Sequence, residues 1–465
     1  MSQIQFDYTN VFADRVGEHG LSHAELEALA PQAEAALAAV LARRGKDLCW
    51  LDLPGQEDVL DSILDYASSV AGRFRNVVVL GIGGSALGNT ALQSALGSPF
   101  HNVEPPPGMA RLFVLDNIDP DLIGEVLDLL DPAETLFNVI SKSGGTAETM
   151  SQFLVFRARL VELLGEDGHR DNIVVTTDAK NGVLREIVER EGYESFIVPN
   201  GVGGRFSVLS PVGLLSSALV GIDVKGLLKG AKEMSERCAV APYFENPALL
   251  HATIQYLLHA ERGLPIAVTF AYSHRLANMA DWYAQLLAES IGKRKDRSGA
   301  DVFRGPTPVR AVGVTDQHSQ VQLYVEGPFD KWFTLLAVAG GDHEVPIPRT
   351  PKGFADLEGV DYLGGRSLGE LFRAERDGTE IALTEAGRPN ATIHFDSVTA
   401  RSVGQLIFML ELSVAVMGEL YDVDAFDQPG VEAGKVAAYG LMGRAGFEER
   451  RAEIESSAPE RRHRV

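Results

Sequence analysis

The chain has 465 residues, 45% apolar and 23% charged, and its 42 basic and 64 acidic side chains give a formal charge of −22. These proportions fit a soluble globular protein of roughly two to four domains and exclude a disordered, fibrous or membrane-embedded chain. The negative field argues against nucleic acid or an anionic membrane surface as the main partner, and Cys49 and Cys238 are too few for a disulfide scaffold or a cysteine zinc site.

The N-terminus, MSQIQFDYTN, has no basic start followed by an apolar run, so no signal peptide is read and a cytoplasmic chain is expected. Residues 1–75 form a helical segment, with apolar spacing of helical period over Ser22–Arg44 and Glu57–Phe74. Short β-branched runs then alternate with helical patterns. Strands are predicted at Asn76–Leu80, Arg111–Leu115, Thr135–Ser141, Asn172–Thr177 and Ser195–Val198. Helices are predicted at Ser85–Leu96, Pro120–Leu130, Thr146–Leu164 and Asn181–Glu191. Alternation with such short connections implies a doubly wound parallel sheet, assigned with its bridging helix Pro211–Val240 to residues 76–240.

A second α/β unit is predicted over residues 241–425. Its strands are Leu264–Phe270, Val309–Val314, Lys331–Val338 and Ala391–Phe395, and its helices Arg275–Ala288, Gln317–Tyr324 and Thr399–Tyr421. Residues Gly340–Thr384 read as loop-rich around Pro346, Pro348 and Pro351. The most apolar stretch, Leu406–Leu420, is interrupted by Glu411 and Glu419, so no bilayer span is expected. Residues 426–465 form a C-terminal helix and an arginine-rich tail.

Open α/β sheets bind ligands beyond the C-terminal ends of their strands, and three turns fall there. In Gly81-Ile82-Gly83-Gly84-Ser85-Ala86-Leu87-Gly88 the glycines admit an anion to the backbone and Ser85 supplies a hydroxyl. The alternatives are a tight packing turn or a dinucleotide-binding turn, the latter partly matched by Gly81, Gly83 and Ala86 with Asp116 as its acid. In Ser141-Lys142-Ser143-Gly144-Gly145-Thr146 three hydroxyls alternate with glycines at a helix start, which suits a dianionic phosphate; no P-loop pattern is present. Gly201-Val202-Gly203-Gly204-Arg205-Phe206-Ser207 presents an arginine suited to a phosphate or an enolate, or to a surface acid.

Further along, Glu289 ends an apolar helix that also carries Gln285, and it is either a base facing a cleft or a solvated helix end. His318 lies at a strand-to-helix junction in Asp316-Gln317-His318-Ser319. Lys435 lies one turn inside a helix opened by Phe426-Asp427-Gln428-Pro429-Gly430, where a snorkelling surface lysine is the alternative.

Taken in chain order over roughly residues 50–440, GGRFSVLS (203–210), LLAESIGK (286–293), DQHS (316–319) and FDQPGVEAGK (426–435) resemble the phosphoglucose isomerase family of the compact bacterial type. The resemblance implies two sugar-isomerase (SIS) α/β domains in a homodimer with shared active sites, and interconversion of glucose 6-phosphate and fructose 6-phosphate without metal or organic cofactor. It implies Glu289 as the base of a cis-enediolate pathway, Arg205 as the stabiliser of the enediolate, and His318 of a neighbouring subunit with Lys435 as the ring-opening pair. Gly84, Ser85, Ser141, Lys142, Ser143 and Thr146 align with the phosphate cradle, and Gln285 and Gln428 with further substrate contacts. The sequence departs from the family's usual pattern at Gly145, Ile291 and Pro429. Two rivals stand beside this reading: a non-catalytic sugar-phosphate sensor on the same two lobes, and a nucleotide-dependent dehydrogenase using the first glycine turn.

Overall fold

A computed structural model describes residues 3–354 and 356–457. The strands are, in chain order, β1 (Gln5–Asp7), β2 (Asn76–Leu80), β3 (Arg111–Leu115), β4 (Thr135–Ser141), β5 (Ile173–Thr177), β6 (Glu194–Ile197), β7 (Ile266–Tyr272), β8 (Lys293–Lys295), β9 (Asp301–Arg304), β10 (Thr307–Val312), β11 (Lys331–Val338) and β12 (Asn390–Phe395). One sheet has the order β3-β2-β4-β5-β6, all parallel. The other has the order β1-β12-β11-β7-β10, parallel except for β1, which runs antiparallel to β12. Helices cover both faces of the sheets, which is why β2, β4 and β5 are buried at every residue and read as continuous rather than alternating apolar runs.

Both sheets grow the same way. The second strand of each unit lies on one side of the first, and the third crosses to the other side. The expected pair of doubly wound α/β units is therefore present, each with a crevice where the order reverses, at β2/β4 and at β7/β11. The units share one core. Val77 and Val79 of the first sheet and Ala267, Trp332 and Ile393 of the second belong to a continuous apolar cluster built round helix Ala400–Leu420. That helix lies almost in backbone contact with helix Val224–Val240: a methyl at Gly404 would stand 2.0 Å from the Leu227 carbonyl oxygen.

Several elements differ from the sequence reading. The 211–240 bridge is two helices, Pro211–Leu219 and Val224–Val240, because Gly221 turns the chain at φ +83° and Asp223 caps the second. The stretch 340–384 is not all loop: Ser367 and Glu370 form a capping box that starts helix Leu368–Glu385, which buries little beyond Thr379 and Leu383 and so shows a faint apolar stripe. Helix Pro247–Ala260 was not anticipated, since it is buried on almost every face and carries no clear helical period. The expected helix 317–324 is a 3-10 turn, Thr315–His318, followed by Val321–Glu326. Strand β1 carries part of the N-terminal segment into the second sheet. Of the arginine-rich tail, Glu448–Ser457 is helical and residues 458–465 lie outside the described residues.

Helix Ala400–Leu420 is long and apolar enough to cross a membrane but is almost wholly buried inside the protein. Of its two acids, Glu419 is paired with Arg297. Glu411 is fully buried, and neither carboxylate oxygen has a hydrogen-bond partner among the described residues, so burial pushes its pKa well above 4.5. Below that pH the carboxyl is neutral in both folded and unfolded states. Above it the unfolded chain ionises while the folded one holds its proton, so this group lowers stability progressively as pH rises. Glu411→Gln removes that loss. In thermal melts at a series of pH values, the variant should match the parent near pH 4 and melt several degrees higher by pH 8; a gap that stays constant with pH would contradict a buried neutral carboxyl.

Candidate active site

The first glycine turn leaves β2 at Leu80 and tightens into a 3-10 turn, Gly83–Ser85, with Gly83 at φ +55°. It is pressed against two other segments. A methyl at Gly84 would stand 2.3 Å from the Gly204 carbonyl carbon, and one at Gly83 would stand 3.1 Å from Gln285 Nε2. The turn therefore joins the arginine loop to the helix that carries Glu289.

The hydroxyl cluster sits at the end of the neighbouring strand, β4, on the other side of the β2/β4 crevice. Ser141 Oγ donates to Thr146 Oγ1 at 3.2 Å, Ser143 Oγ lies 3.3 Å from the same atom, and the Gly144 amide donates to Ser141 Oγ at 3.2 Å. Thr146 immediately precedes helix Ala147–Gly168, whose first amides have no partner one turn back. Hydroxyls and amide donors converging at the positive end of a long helix form an anion nest. Lys142 does a different job there: its ammonium donates to the Val202 carbonyl at 2.7 Å and ties the nest to the arginine loop, with burial drawing its pKa down against the pull of Asp178.

Arg205 is buried, and all five of its N–H groups are used. Nε donates to Ser290 Oγ at 2.7 Å; Nη1 donates to Glu289 Oε2 at 3.2 Å and Gln428 Oε1 at 3.1 Å; Nη2 donates to the carbonyls of Ala425 and of Asp427, the latter at 3.0 Å. Burial lowers its pKa, while Glu289, Asp427 and Asp424 raise it, and a guanidinium so placed remains charged. Glu289 lies near the end of helix Ala277–Ile291, and its other oxygen accepts from Gln285 Nε2, one turn earlier, at 2.9 Å. A partly exposed carboxylate thus stands beside a fixed cation, with two amide side chains around them.

The structure brings together Arg205, Glu289, Gln285, Gln428 and the Gly84 turn, and among the described residues no hydrogen bond or ion pair joins His318 or Lys435 to them. Helix Ala277–Ile291 ends against Gly305, just before β10 begins: a methyl at Gly305 would stand 2.8 Å from the Ile291 carbonyl oxygen. His318 lies exposed beyond the other end of the same strand. The length of β10, about 17–20 Å, thus runs between the helix end and the turn that carries His318. Lys435, with 49% of its side chain exposed, pairs with Glu432 at 2.9 Å on helix Glu432–Leu441, which packs on helix Glu448–Ser457. Sequence reasoning missed Ser290, Lys293 and Asp427, which surround Arg205. Their signal was present, since all three lie inside the quoted motifs, but their types suggested nothing beyond packing.

The family model described as phosphoglucose isomerase matches residues 63–330 and 375–459. Among curated relatives, a glucose-6-phosphate isomerase of Carboxydothermus hydrogenoformans is 46% identical over 97% of both chains. Another, from Rubrobacter xylanophilus, is 44% identical over 96% of this chain and 100% of that one. Among solved structures, a Thermus thermophilus protein described as hypothetical superposes with a TM-score of 0.84 at 40% identity, covering 95% of this chain and 100% of that one. A glucose-6-phosphate isomerase of Chlamydia trachomatis superposes with a TM-score of 0.80 at 22% identity, covering 94% and 89%, which speaks for the fold.

The contact between the two glycine turns has a measurable consequence. Gly84→Ala forces the 81–88 turn away from Gly204 and should lower the thermal midpoint by several degrees, in keeping with an overpacking cost of about 1–3 kcal/mol. Gly145→Ala, where nothing stands within 4 Å of the added methyl, should melt like the parent. Equal midpoints for both variants would show that the turns are not in contact.

Proposed function

The chain belongs to the phosphoglucose isomerase family, and we propose that its aldose–ketose isomerisation of glucose 6-phosphate and fructose 6-phosphate runs through the site around Arg205 and Glu289. The observation that carries this reading is the contact of the Glu289 carboxylate with a buried, permanently charged guanidinium at 3.2 Å.

Isomerisation removes a proton from the carbon beside a carbonyl and returns it to the adjacent carbon. Glu289 takes the C2 proton of the open aldose as the C1 carbonyl oxygen gains negative charge, giving a cis-enediolate, and returns it to C1 while the O2 hydroxyl proton passes to O1, which leaves the ketose with its carbonyl at C2. Arg205 offers a positive charge that needs no reorganisation at that moment. Its Nε and Nη2 are held by buried acceptors, whereas Nη1 is held by the side chains of Glu289 and Gln428, which can turn away. The enediolate oxygens replace those two acceptors on Nη1, and the same exchange frees Glu289 to act as a base. The phosphate binds at Ser141, Ser143 and Thr146, with Gly84 and Ser85 alongside and Lys142 bracing the loop from behind. Held there, it fixes C1 and C2 relative to the carboxylate and contributes binding energy to the chemical step.

Ring opening is assigned to Lys435 and to His318 from a second copy, since one chain separates His318 from Glu289 by the length of β10. The working unit is accordingly a homodimer with shared sites. The free thiols of Cys49 and Cys238 fit a reducing, cytoplasmic setting.

Glu289→Gln should lower kcat for fructose 6-phosphate formation by about two to four decades, as loss of a general base does. A variant within threefold of the parent would remove Glu289 from that role. Mixing Glu289→Gln and His318→Ala chains after dissociation tests the sharing. If the two residues come from different subunits, each hybrid dimer holds one intact site, and random reassociation restores about a quarter of parental activity. No recovery would place both residues in the same site of one chain.

A further inference from the structure

Lys293 follows Gly292 at the end of the glutamate helix and opens β8. Its side chain is 5% exposed, too deep to touch a substrate. The ammonium contacts Asp427 Oδ1 at 2.7 Å and also donates to the Asp427 backbone carbonyl, the same oxygen that accepts from Arg205 Nη2 at 3.0 Å. Two cations in the protein interior thus meet on one carbonyl. That arrangement is electrostatically unfavourable: burial lowers the Lys293 pKa and Arg205 lowers it further, against the pull of Asp427.

The segment they share explains its use. Residues 425–428 lie between the end of helix Ala400–Leu420 and the 3-10 turn Pro429–Val431, outside any helix or strand. They nevertheless supply three of the acceptors on Arg205, from Ala425, Asp427 and Gln428. Ala425 is buried and Phe426 packs on Phe206 and beneath Arg43, which anchors the start of the segment. The Asp427 side chain beyond them is 53% exposed, and its partner is Lys293.

We propose that Lys293 is a positioning residue for the isomerisation. It clamps the 425–428 segment through Asp427, the segment locks the Nη2 edge of Arg205, and the Nη1 edge is thereby aimed at the developing enediolate. This rests on the assignment of Arg205 to enediolate stabilisation. Because the Nη1 contacts form fully only as charge develops, the effect of Lys293 falls on the transition state and hardly at all on the ground state.

The test uses the full-length protein and two five-carbon phosphates as probes. One is a phosphohydroxamic acid whose planar anionic head mimics the enediolate; the other is a sugar-alcohol phosphate with no such charge. Lys293→Met should lower kcat about ten- to hundredfold with KM within threefold, the scale of a small misplacement of a catalytic group. Its Kd for the hydroxamate should rise by the same factor while that for the polyol phosphate stays put. Asp427→Asn, on a half-exposed side chain that does not endanger folding, should shift the same quantities in the same direction, and the double variant should be no worse than Lys293→Met alone. Unchanged kcat in Lys293→Met and Asp427→Asn, or equal weakening of both probes, overturns the proposal. Arg205→Lys measured in parallel separates the premises: loss of hydroxamate affinity there but not in Lys293→Met overturns the role of Lys293 alone, and no loss in either overturns the role of Arg205 as well.

Discussion

A single guanidinium holds three distant parts of the chain together. Arg205 reaches from the glycine loop that closes the first α/β unit to Ser290 and Glu289 on a helix of the second, and to the 425–428 segment that leads into the C-terminal helices. Every N–H it owns is occupied, so burying its charge is compensated by fixed acceptors rather than by water. The same saturation orients the group. A side chain pinned at three of five donors can give up the other two without moving, and a positive charge that stays in place is what developing negative charge on a substrate requires. The ion pair with Glu289 occupies one of those two donors in the free protein, and in the proposed mechanism substrate oxygens take its place.

The anion nest obeys the same logic at another scale. The chain as a whole carries −22, a field that repels a dianion. For the phosphate site proposed there, attraction has to be local, from neutral donors as much as from charge: the hydroxyls gathered at Thr146 and the free amides of a 22-residue helix. Lys142, held on the Val202 carbonyl, links the nest to the arginine loop.

The first α/β unit was legible in the sequence because its central strands are short, β-branched and fully buried, with glycine-rich turns after β2 and β4; those two strands were placed residue for residue. The second was read with strand ends displaced by two residues at β7 and β10, where Leu264 before the one and Val314 after the other extend the apolar run past the strand. Helices Pro247–Ala260 and Leu368–Glu385 escaped for opposite reasons, one buried on almost every face and the other burying only Thr379 and Leu383, since periodicity detects only the half-buried case. The site was legible at Arg205, Glu289, Gln285 and Gln428 because their motifs could be quoted as units. Its surroundings were not: nothing about the residue types of Ser290, Lys293 or Asp427 announces that they converge on one arginine from 85 to 222 positions away in the chain.

The repeated strand order also explains where Glu289 and His318 lie relative to one another. Helix Ala277–Ile291 runs back along its sheet, as a crossover between parallel strands must, and so delivers Glu289 to the edge where β10 starts. That edge faces the first unit, because the Gly84 and Arg205 turns reach it from the C-terminal ends of the first sheet. The turn after β10 necessarily points the opposite way and presents His318 to solvent. The carboxyl edge of the first unit thus meets the amino edge of the second at Arg205 and Glu289, and the carboxyl edge of the second faces outward at His318. The topology that brings Glu289 to Arg205 is thus the same topology that carries His318 to the opposite end of β10.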